Sequence, residues 1–310
     1  MSRIGKSYYY LPKKRLSADK WARQSAMYPE ISAHYEKHHM EPFHDASPNS
    51  GEDLIYKAID GLQQRYAFKP SRVKYIALAY QVPCFPNMTD IFINIRKRYN
   101  FHHAECFSVR ELYCAVPLMS LEVMLALSIR PSSANDLSII VSVGRFYSPL
   151  FRVDGEYIAG DGSGALLLDN EIGDPILAVH NTMDTRVNLR DRSNIWDISY
   201  LISLKKVIEE AVDKSGISID DIRLIIVNRA PLWVWSSLAK LLRVSEKLFY
   251  CGEPEIGHQF VNDIIVNYVS ALQNRLLDTG DRYMLLCLGS FGVAGCAICS
   301  RDTTFEMGLG

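Results

Sequence analysis

The sequence carries almost no net charge and contains no long uninterrupted apolar run. Its 34 lysines and arginines nearly balance 35 aspartates and glutamates, which leaves a formal charge of −1. This charge gives no electrostatic reason to expect a nucleic acid or a membrane surface as a partner. No stretch reaches the about 18 apolar residues of a membrane-spanning helix, and the N-terminus lacks the apolar segment of a secretory signal. We therefore predict a cytoplasmic protein.

The cysteine content also excludes several kinds of protein. The seven cysteines are an odd number and lie scattered, mostly in apolar runs, which argues against a disulfide scaffold. Cys296 and Cys299 form a C-x-x-C pair, but "GVAGCAICS" is typical of a buried strand, so redox or zinc chemistry is not expected there. His34 and His38 have the i, i+4 spacing of metal ligands on a helix, yet no carboxylate or cysteine completes an obvious set. We predict no metal site.

The pattern of predicted elements occurs twice along the chain. In the first half, the helical spacing of "GEDLIYKAIDGLQQRYAF" precedes the strand-like "VKYIALAY". In the second half, "DISYLISLKKVIEEAVDKSGI" precedes "IRLIIVNRA" in the same way. Each half continues through a turn, a long apolar helix and another strand. We predict two related halves, residues 1–170 and 171–310, that meet near "DNEIGDP".

The long helix of each half is apolar on nearly every side. Such a helix is buried rather than exposed along one face. Two buried helices between two sheets, with further helices outside, predict a layered α/β fold. The apolar residues are Leu118, Met119, Leu121, Val123, Met124, Leu125 and Leu127 in the first helix, and Phe260, Val261, Ile264, Ile265, Val266, Val269 and Leu272 in the second.

Two chemically active residues stand near the starts of these helices. Cys114 lies 25 positions before Ile139 of the following strand, and His258 lies 26 positions before Met284 of its own. The sequence therefore predicts near-equivalent places in the two halves. At a helix N-terminus, the helix dipole favours a thiolate, and unpaired N–H groups can bind an oxyanion when the sulfur attacks a thioester. A histidine that faces the sulfur can act as base, acid or hydrogen-bond donor.

Two further residues complete the candidate set. Asn228 ends the strand "IRLIIVN", at a strand carboxyl end where α/β folds collect their sites, and its amide offers a donor to a carbonyl. Asp263, one helical turn after His258, can orient the imidazole or complement the helix dipole. Each residue also has a purely structural explanation: a buried free thiol for Cys114, a helix cap for His258 and a turn for Asn228. Their convergence at the ends of duplicated elements favours a site.

Several phrases resemble the thiolase superfamily, and within it the β-ketoacyl-acyl-carrier-protein synthase III branch. "GDGSGALLL" is similar to the Gly-Asp-Gly-Ala-Gly-Ala turn of that family, and it does not open a helix as a nucleotide-binding loop does. "YLPKKRL" and "GEDLIYKAIDGL" are similar to its opening strand and first helix. "LCLGSFGVAGCAI" resembles its glycine-rich C-terminal turn. The resemblance implies a thiolase-like αβαβα fold, with Gly289, Ser290 and Gly292 as the source of an oxyanion-binding N–H.

Three positions depart from the family pattern. The phrase before the nucleophile is one residue longer in "SVRELYC", so an ungapped alignment places Tyr113 where the family has its cysteine, with Cys114 one later. "NRAP" places Asn228 where the family has its histidine, and "GHQF" places His258 where it has its asparagine. The resemblance therefore implies a Cys, His and Asn set in which the last two are exchanged.

These observations favour an acyltransferase. Cys114 would take an acyl group from acyl-coenzyme A or an acyl carrier protein, and His258 would help to pass it to a carbon or heteroatom acceptor. The thioester is a substrate, and no permanently bound cofactor is expected. The alternative, suggested by Tyr113, is a non-catalytic or assisting subunit of a heteromer. The resemblance implies a homodimer, or a heterodimer with a related subunit.

Overall fold

The structure is a computed structural model, and part of the chain falls outside what it describes. The predicted turn residue Ser290 and the histidines His34 and His38 lie outside the described residues. The described residues are 2–24, 42–85, 88–128, 135–154, 157–184, 198–289 and 292–303.

Within these residues, strands and helices alternate along the chain. The strands are β1 Arg3–Tyr10, β2 Arg15–Leu16, β3 Phe43–His44, β4 Val73–Ala79, β5 Glu105–Val109, β6 Leu137–Gly144, β7 Val153–Asp154, β8 Tyr157–Ile158, β9 Gly162–Asp169, β10 Asp174–Met183, β11 Ile222–Val227, β12 Phe249–Tyr250, β13 Arg282–Leu288 and β14 Val293–Ser300. The helices are α1 Ala18–Gln24, α2 Gly51–Arg65, α3 Met88–Tyr99, α4 Val116–Ser128, α5 Pro149–Arg152, α6 Ile198–Ser215, α7 Leu232–Leu242 and α8 Asp263–Gln273.

The main sheet consists of two halves with the same strand order. The first half runs β5-β4-β6-β9-β1, and the second runs β12-β11-β13-β14-β10. In both, the first three strands are parallel and the last two join antiparallel. The halves meet where β1 pairs with β10, with Arg3 opposite Pro175 and Ile4 opposite Asp174. The predicted duplication is confirmed, whereas its division into domains at residue 170 stays a prediction.

Alternate residues of each strand face different layers. Along β4, Tyr75, Ala77 and Ala79 point into a central core, and Ile76 and Leu78 point into an outer one. This alternation follows from the two-residue repeat of a strand. The central core holds α4 and α8 between the two sheet halves. Helices α2 and α3 cover the outer face of the first half, and α6 and α7 cover that of the second. The predicted αβαβα layering is therefore confirmed.

The sequence explains which helices take the central layer. Helix α4 has no charged residue in its first or last turn, and every residue from Asp263 to Ala271 of α8 is buried. Helix α2 instead carries charge on one face, and Ser50 begins it with a capping box to Asp53. A helix that is buried on all sides fits the space between two sheets, whereas an amphipathic helix fits an outer surface.

The register of the duplication differs from the prediction by three residues. A single 3₁₀ turn precedes each central helix, Tyr113–Ala115 before α4 and Phe260–Asn262 before α8. The first residue of each turn has a positive φ, 51° at Tyr113 and 54° at Phe260. Cys114 therefore corresponds to Val261, and the predicted near-equivalence of Cys114 and His258 is wrong. Sequence counting missed this because the central helices differ in length, with 13 residues in α4 and 11 in α8.

None of the helices in the described part of the chain combines the length and the apolar character that crossing a bilayer requires.

A glycine at the junction of the halves gives a test of the fold. Gly173 has φ of 103°, and a Cβ there would lie 2.1 Å from the carbonyl oxygen of Ile4. We expect Gly173→Ala to lower the free energy of unfolding by about 3 kcal/mol or more, through backbone strain and this overlap. Urea unfolding followed by circular dichroism measures the loss.

The control is Gly216→Ala. Gly216 also has a positive φ, 69°, but among the described residues no atom beyond its chain neighbours lies within 4 Å of the place that a Cβ would take. Only the cost of placing a Cβ in the left-handed backbone conformation remains, so we expect Gly216→Ala to lower the free energy of unfolding by about 1 kcal/mol. Equal losses in the two variants would contradict the close packing of Gly173 against β1.

Candidate active site

A buried histidine and a buried aspartate lie in contact at the start of α8. His258 Nδ1 is 2.6 Å from Asp263 Oδ2, and both side chains are almost fully buried. His258 precedes the 3₁₀ turn and Asp263 follows it, so the turn brings them together. Assigning the proton to Nδ1, on the Asp263 side, leaves Nε2 as an acceptor. A histidine oriented in this way is equipped to act as a general base.

The backbone fixes Asp263 in place. The N–H of Gln259 donates to Oδ1 at 2.6 Å, and the N–H of Arg229 donates to Oδ2 at 3.0 Å. Arg229 lies in the loop that directly follows β11, so the carboxyl end of this strand positions the N–H that anchors the carboxylate facing the histidine. The imidazole itself packs against two rings, with centroids 5.2 Å from Tyr157 and 5.9 Å from Phe260. Both partners of the pair are therefore held by structure outside the pair.

Cys114 lies beside this pair in an aromatic cluster. The thiol residue is 6% exposed and packs with Phe146, Ala159 and Phe260. Phe260 also contacts His258, and the two 3₁₀ turns pack against each other. The predicted residues Cys114, His258 and Asp263 are thus gathered around one phenylalanine.

Tyr113 forms the bend that leads to Cys114. Its positive φ is unusual for a residue with a side chain, and such strain clusters at functional sites. Its N–H donates to Gln81 Oε1 at 3.0 Å, which ties the bend to the end of β4. We call residues Leu112–Cys114 the elbow. Gln81 is a site residue that sequence reasoning missed, because an isolated glutamine after a strand carries no pattern.

Asn228 does not point a free amide at the site. Its Nδ2 donates to the Leu288 carbonyl at 3.1 Å and to the Arg229 carbonyl at 3.4 Å, and its Oδ1 accepts from the Leu288 N–H at 2.9 Å. The side chain therefore continues the pairing of β11 with β13 beyond the last residue of β11, to Leu288 at the end of β13. The predicted role of Asn228, donation to a substrate carbonyl, requires its amide N–H groups. These groups already donate to the backbone carbonyls of Leu288 and Arg229.

Gly289, which begins the C-terminal glycine turn that ends at Val293, packs on the elbow. A Cβ on Gly289 would lie 2.7 Å from the Leu112 carbonyl oxygen. The Gly289 N–H donates to the Val293 carbonyl at 2.8 Å, so it closes the turn and does not offer a donor to an oxyanion. This corrects the expectation for Gly289. Gly292, with φ of 75°, is the predicted donor that remains among the described residues of the turn.

The other glycine turn, Gly160–Gly162, surrounds a buried carboxylate. Asp161 is fully buried and pairs with Arg145 and Arg152, each at 2.9 Å. It also accepts from the N–H groups of Ala46 and Phe146. Because Phe146 packs against Cys114, this ion cluster supports one wall of the site. The turn is therefore a scaffold, and the sequence alone did not identify the two arginines as its partners.

Three further cysteines are buried in the strands β13 and β14. None of the seven cysteines, all of them among the described residues, forms a disulfide. Cys296 and Cys299 are fully buried on β14, and burial raises the pKa of both thiols. Burial, followed by the nearby Asp263 and Cys296, raises the pKa of Cys287 well above its usual value. The described residues contain no group of three or more His, Cys, Asp or Glu side chains able to hold a metal ion.

Solved structures share this architecture. An acyltransferase described as ChlB3 has a TM-score of 0.81 at 18% identity, over 97% of each chain. The 3-oxoacyl-acyl-carrier-protein synthase III of Pseudomonas aeruginosa PAO1 has 0.73 at 17%, over 97% of this chain and 98% of that one. OleA of Xanthomonas campestris, with cerulenin bound, has 0.79 at 12%, over 96% of each. The fold is thiolase-like.

The comparisons by sequence give no match. No protein-family model matches the chain, and no curated protein matches it either. At identities below 20% the structural likeness is one of fold. It confirms the thiolase-like architecture that the resemblance implies.

The buried ion cluster gives a test of the wall behind Cys114. We expect Asp161→Ala to lower the free energy of unfolding by about 3–5 kcal/mol, because it leaves Arg145 and Arg152 buried without their shared partner. Asp19→Ala, which removes an exposed i, i+4 pair with Arg23, is the control and costs under about 1 kcal/mol. Thermal and urea unfolding report both values. If Asp161→Ala lowers the free energy of unfolding as little as the control does, the ion cluster contributes little to stability.

Proposed function

We propose that the protein is an acyltransferase that forms an acyl-cysteine intermediate from an acyl thioester and passes the acyl group to a hydroxyl or amine acceptor. The observation that carries this proposal is the buried contact between His258 and Asp263 at 2.6 Å, next to the turn that bears Cys114. The acyl donor is acyl-coenzyme A or an acyl carrier protein. Homodimerisation, or pairing with a related subunit, belongs to the same proposal.

The first half of the reaction loads the enzyme. Cys114 gives up its proton, and the sulfur attacks the thioester carbonyl carbon. The carbonyl oxygen becomes an oxyanion, and the N–H of Cys114 with that of Gly292 would stabilise it. The bond from the carbonyl carbon to the donor sulfur then breaks, and the departing thiolate takes up from solvent water the proton that Cys114 gave up to it. The product is an acyl group on Cys114 and a free pantetheine thiol.

The second half of the reaction unloads the acyl group. His258 Nε2 removes the proton from the acceptor O–H or N–H as that atom attacks the acyl carbon. Asp263 stabilises the imidazolium that forms and keeps Nε2 directed at the acceptor. The Cys114 sulfur leaves and is protonated by the imidazolium. The ester or amide is released, and the enzyme returns to its starting state.

The arrangement of donors favours a heteroatom acceptor over a carbon one. Decarboxylative condensation, the alternative with a carbon acceptor, needs two hydrogen-bond donors on the carbonyl of a malonyl thioester. The Asn228 amide is bonded to Leu288, and His258 faces a carboxylate that leaves its other nitrogen as an acceptor. The amide donor of Asn228 is therefore occupied, and in place of a second donor His258 presents a base. That pattern suits the deprotonation of a hydroxyl or amine group.

The intermediate can be tested by intact mass. We expect incubation with acetyl-, butyryl- or octanoyl-coenzyme A to add one acyl mass to the protein, because the helix N-terminus activates the sulfur. Cys114→Ala should lose the adduct, whereas Cys106→Ala, at a half-buried thiol on β5, should keep it. No adduct with any of the three chain lengths would remove Cys114 as the nucleophile. Release of carbon dioxide from malonyl-coenzyme A would identify condensation instead.

The role of the His258–Asp263 pair separates loading from transfer. We expect Asp263→Asn to slow transfer from the acyl enzyme to hydroxylamine ~100-fold or more, the usual contribution of general base catalysis. Loading of Cys114 should change less, since the thiol is activated mainly by its place at the helix. Rapid-quench mass spectrometry measures both steps.

Asp220→Asn, at an exposed carboxylate in the 3₁₀ turn Ile219–Asp221, is the matched control and should alter neither step. Transfer in Asp263→Asn that stays within twofold of the wild-type rate would contradict the base assignment.

A second candidate function is an assisting subunit of a related enzyme. It is favoured by Tyr113, which holds the bend with the positive φ where an ungapped alignment places the nucleophile of the resembled family. In that case His258→Ala should leave the native complex fully active. The acyltransferase assignment expects the same variant to abolish transfer, so activity of the reconstituted complex decides between the two.

A further inference from the structure

A fully buried tyrosine holds the C-terminal glycine turn closed. The hydroxyl of Tyr200, on the first turn of α6, donates to the carbonyls of Gly289 and Val293, at 3.2 Å for Val293. These residues begin and end the turn, and the Gly289 N–H already joins them. Nothing in the sequence singles out Tyr200, because "DISYLISLKK" has the spacing of an ordinary amphipathic helix.

Tyr200 keeps its proton under all ordinary conditions. Burial raises the pKa of its hydroxyl well above the usual value, and the nearby Cys114 and Cys287 raise this pKa further. A hydroxyl that stays protonated remains a donor to the turn, whatever the charge of Cys114 during a reaction. The effect of Cys114 on this pKa places the tyrosine near the candidate nucleophile.

Asn228 holds the same turn from the other side. It accepts from and donates to the backbone of Leu288, one residue before Gly289. Tyr200 therefore fixes the two ends of the turn, and Asn228 fixes the strand that enters it. The turn also contacts the elbow, since a Cβ on Gly289 would lie 3.1 Å from Tyr113 Cβ. Gly289 has no side chain, so the backbone of the turn lies directly against the backbone of the elbow. A displacement of the turn therefore changes the distance between the turn and Cys114.

We propose that Tyr200 is a positioning residue, which together with Asn228 fixes the glycine turn relative to the elbow and so sets the geometry of the oxyanion site. The kinetic consequence of this inference rests on the proposed acyl transfer. The contacts by which Tyr200 holds the turn do not depend on it. It assigns Asn228 to the position of the turn rather than to donation to substrate. It also explains why an asparagine stands at position 228 although the proposed base is His258.

The test compares two buried tyrosines that each lose one hydroxyl. Tyr200→Phe removes the donor to the turn. Tyr283→Phe is the matched control, because its hydroxyl is equally buried and bonds to Asp174 at 2.7 Å, away from the elbow. Two measurements on the full chain are needed: hydrogen exchange of the peptide that spans 284–300, and the rate of Cys114 loading by acetyl-coenzyme A as a function of its concentration.

We expect Tyr200→Phe to speed amide exchange in the turn and to lower the maximal loading rate ~10-fold or more, since misplaced oxyanion donors forfeit stabilisation of the transition state. The acetyl-coenzyme A concentration at half-maximal rate should stay within twofold, and Tyr283→Phe should change neither quantity. A loading rate for Tyr200→Phe within twofold of wild type overturns the positioning role. So does a fall of equal size in both variants, which would reflect general destabilisation.

The exchange measurement keeps this inference separate from the proposed function. If the wild-type protein takes up no acyl group, acyl transfer has failed, and the comparison of exchange in the two variants still decides whether Tyr200 holds the turn. Faster exchange confined to Tyr200→Phe then supports the structural half of the inference, and unchanged exchange overturns it.

Discussion

The burial of two apolar helices between the two sheet halves is the constraint on which the rest of the molecule depends. Helix α8 is buried from Asp263 to Ala271, and α4 buries Val116, Leu118, Leu121 and Met124 in the central core, so both helices depend on a sheet on either side. The chain must enter both helices from one end of the sandwich, because each follows a parallel strand of its own half. That requirement brings the two 3₁₀ turns into contact, and with them Cys114 and the His258–Asp263 pair.

The fold could be predicted from the sequence because its signals are repeated. The helical spacing after Ser50 and the strand that follows have counterparts in the second half, and the glycine turn at Gly160 adds a specific phrase. The central helix α4 could even be told apart from the outer helix α2, since its apolar residues occupy nearly all faces and those of α2 occupy one. Only the register of the repeat was wrong, by three residues, because the two central helices differ in length, 13 residues against 11.

The candidate site could be predicted in part. Cys114, His258 and Asp263 were identified from their places at element ends, and the structure gathers them around Phe260. Gln81, Tyr200 and the Arg145–Asp161–Arg152 cluster could not be found, because their partners are backbone groups or residues far away in the chain. Asn228 shows the limit most clearly. Its identity indicates a donor, yet its use is decided by Leu288, sixty residues later.

The junction of the halves has a thermodynamic consequence. Strands β1 and β10 face each other through only two residue pairs, so the sheet itself joins the repeats weakly. What joins them is the central layer, in which α4 and α8 bury side chains against strands of both halves. Neither half can open without exposing apolar surface of the other. The chain is thus a duplicated sequence that we expect to melt as one cooperative unit, with the site among the last regions to lose its order.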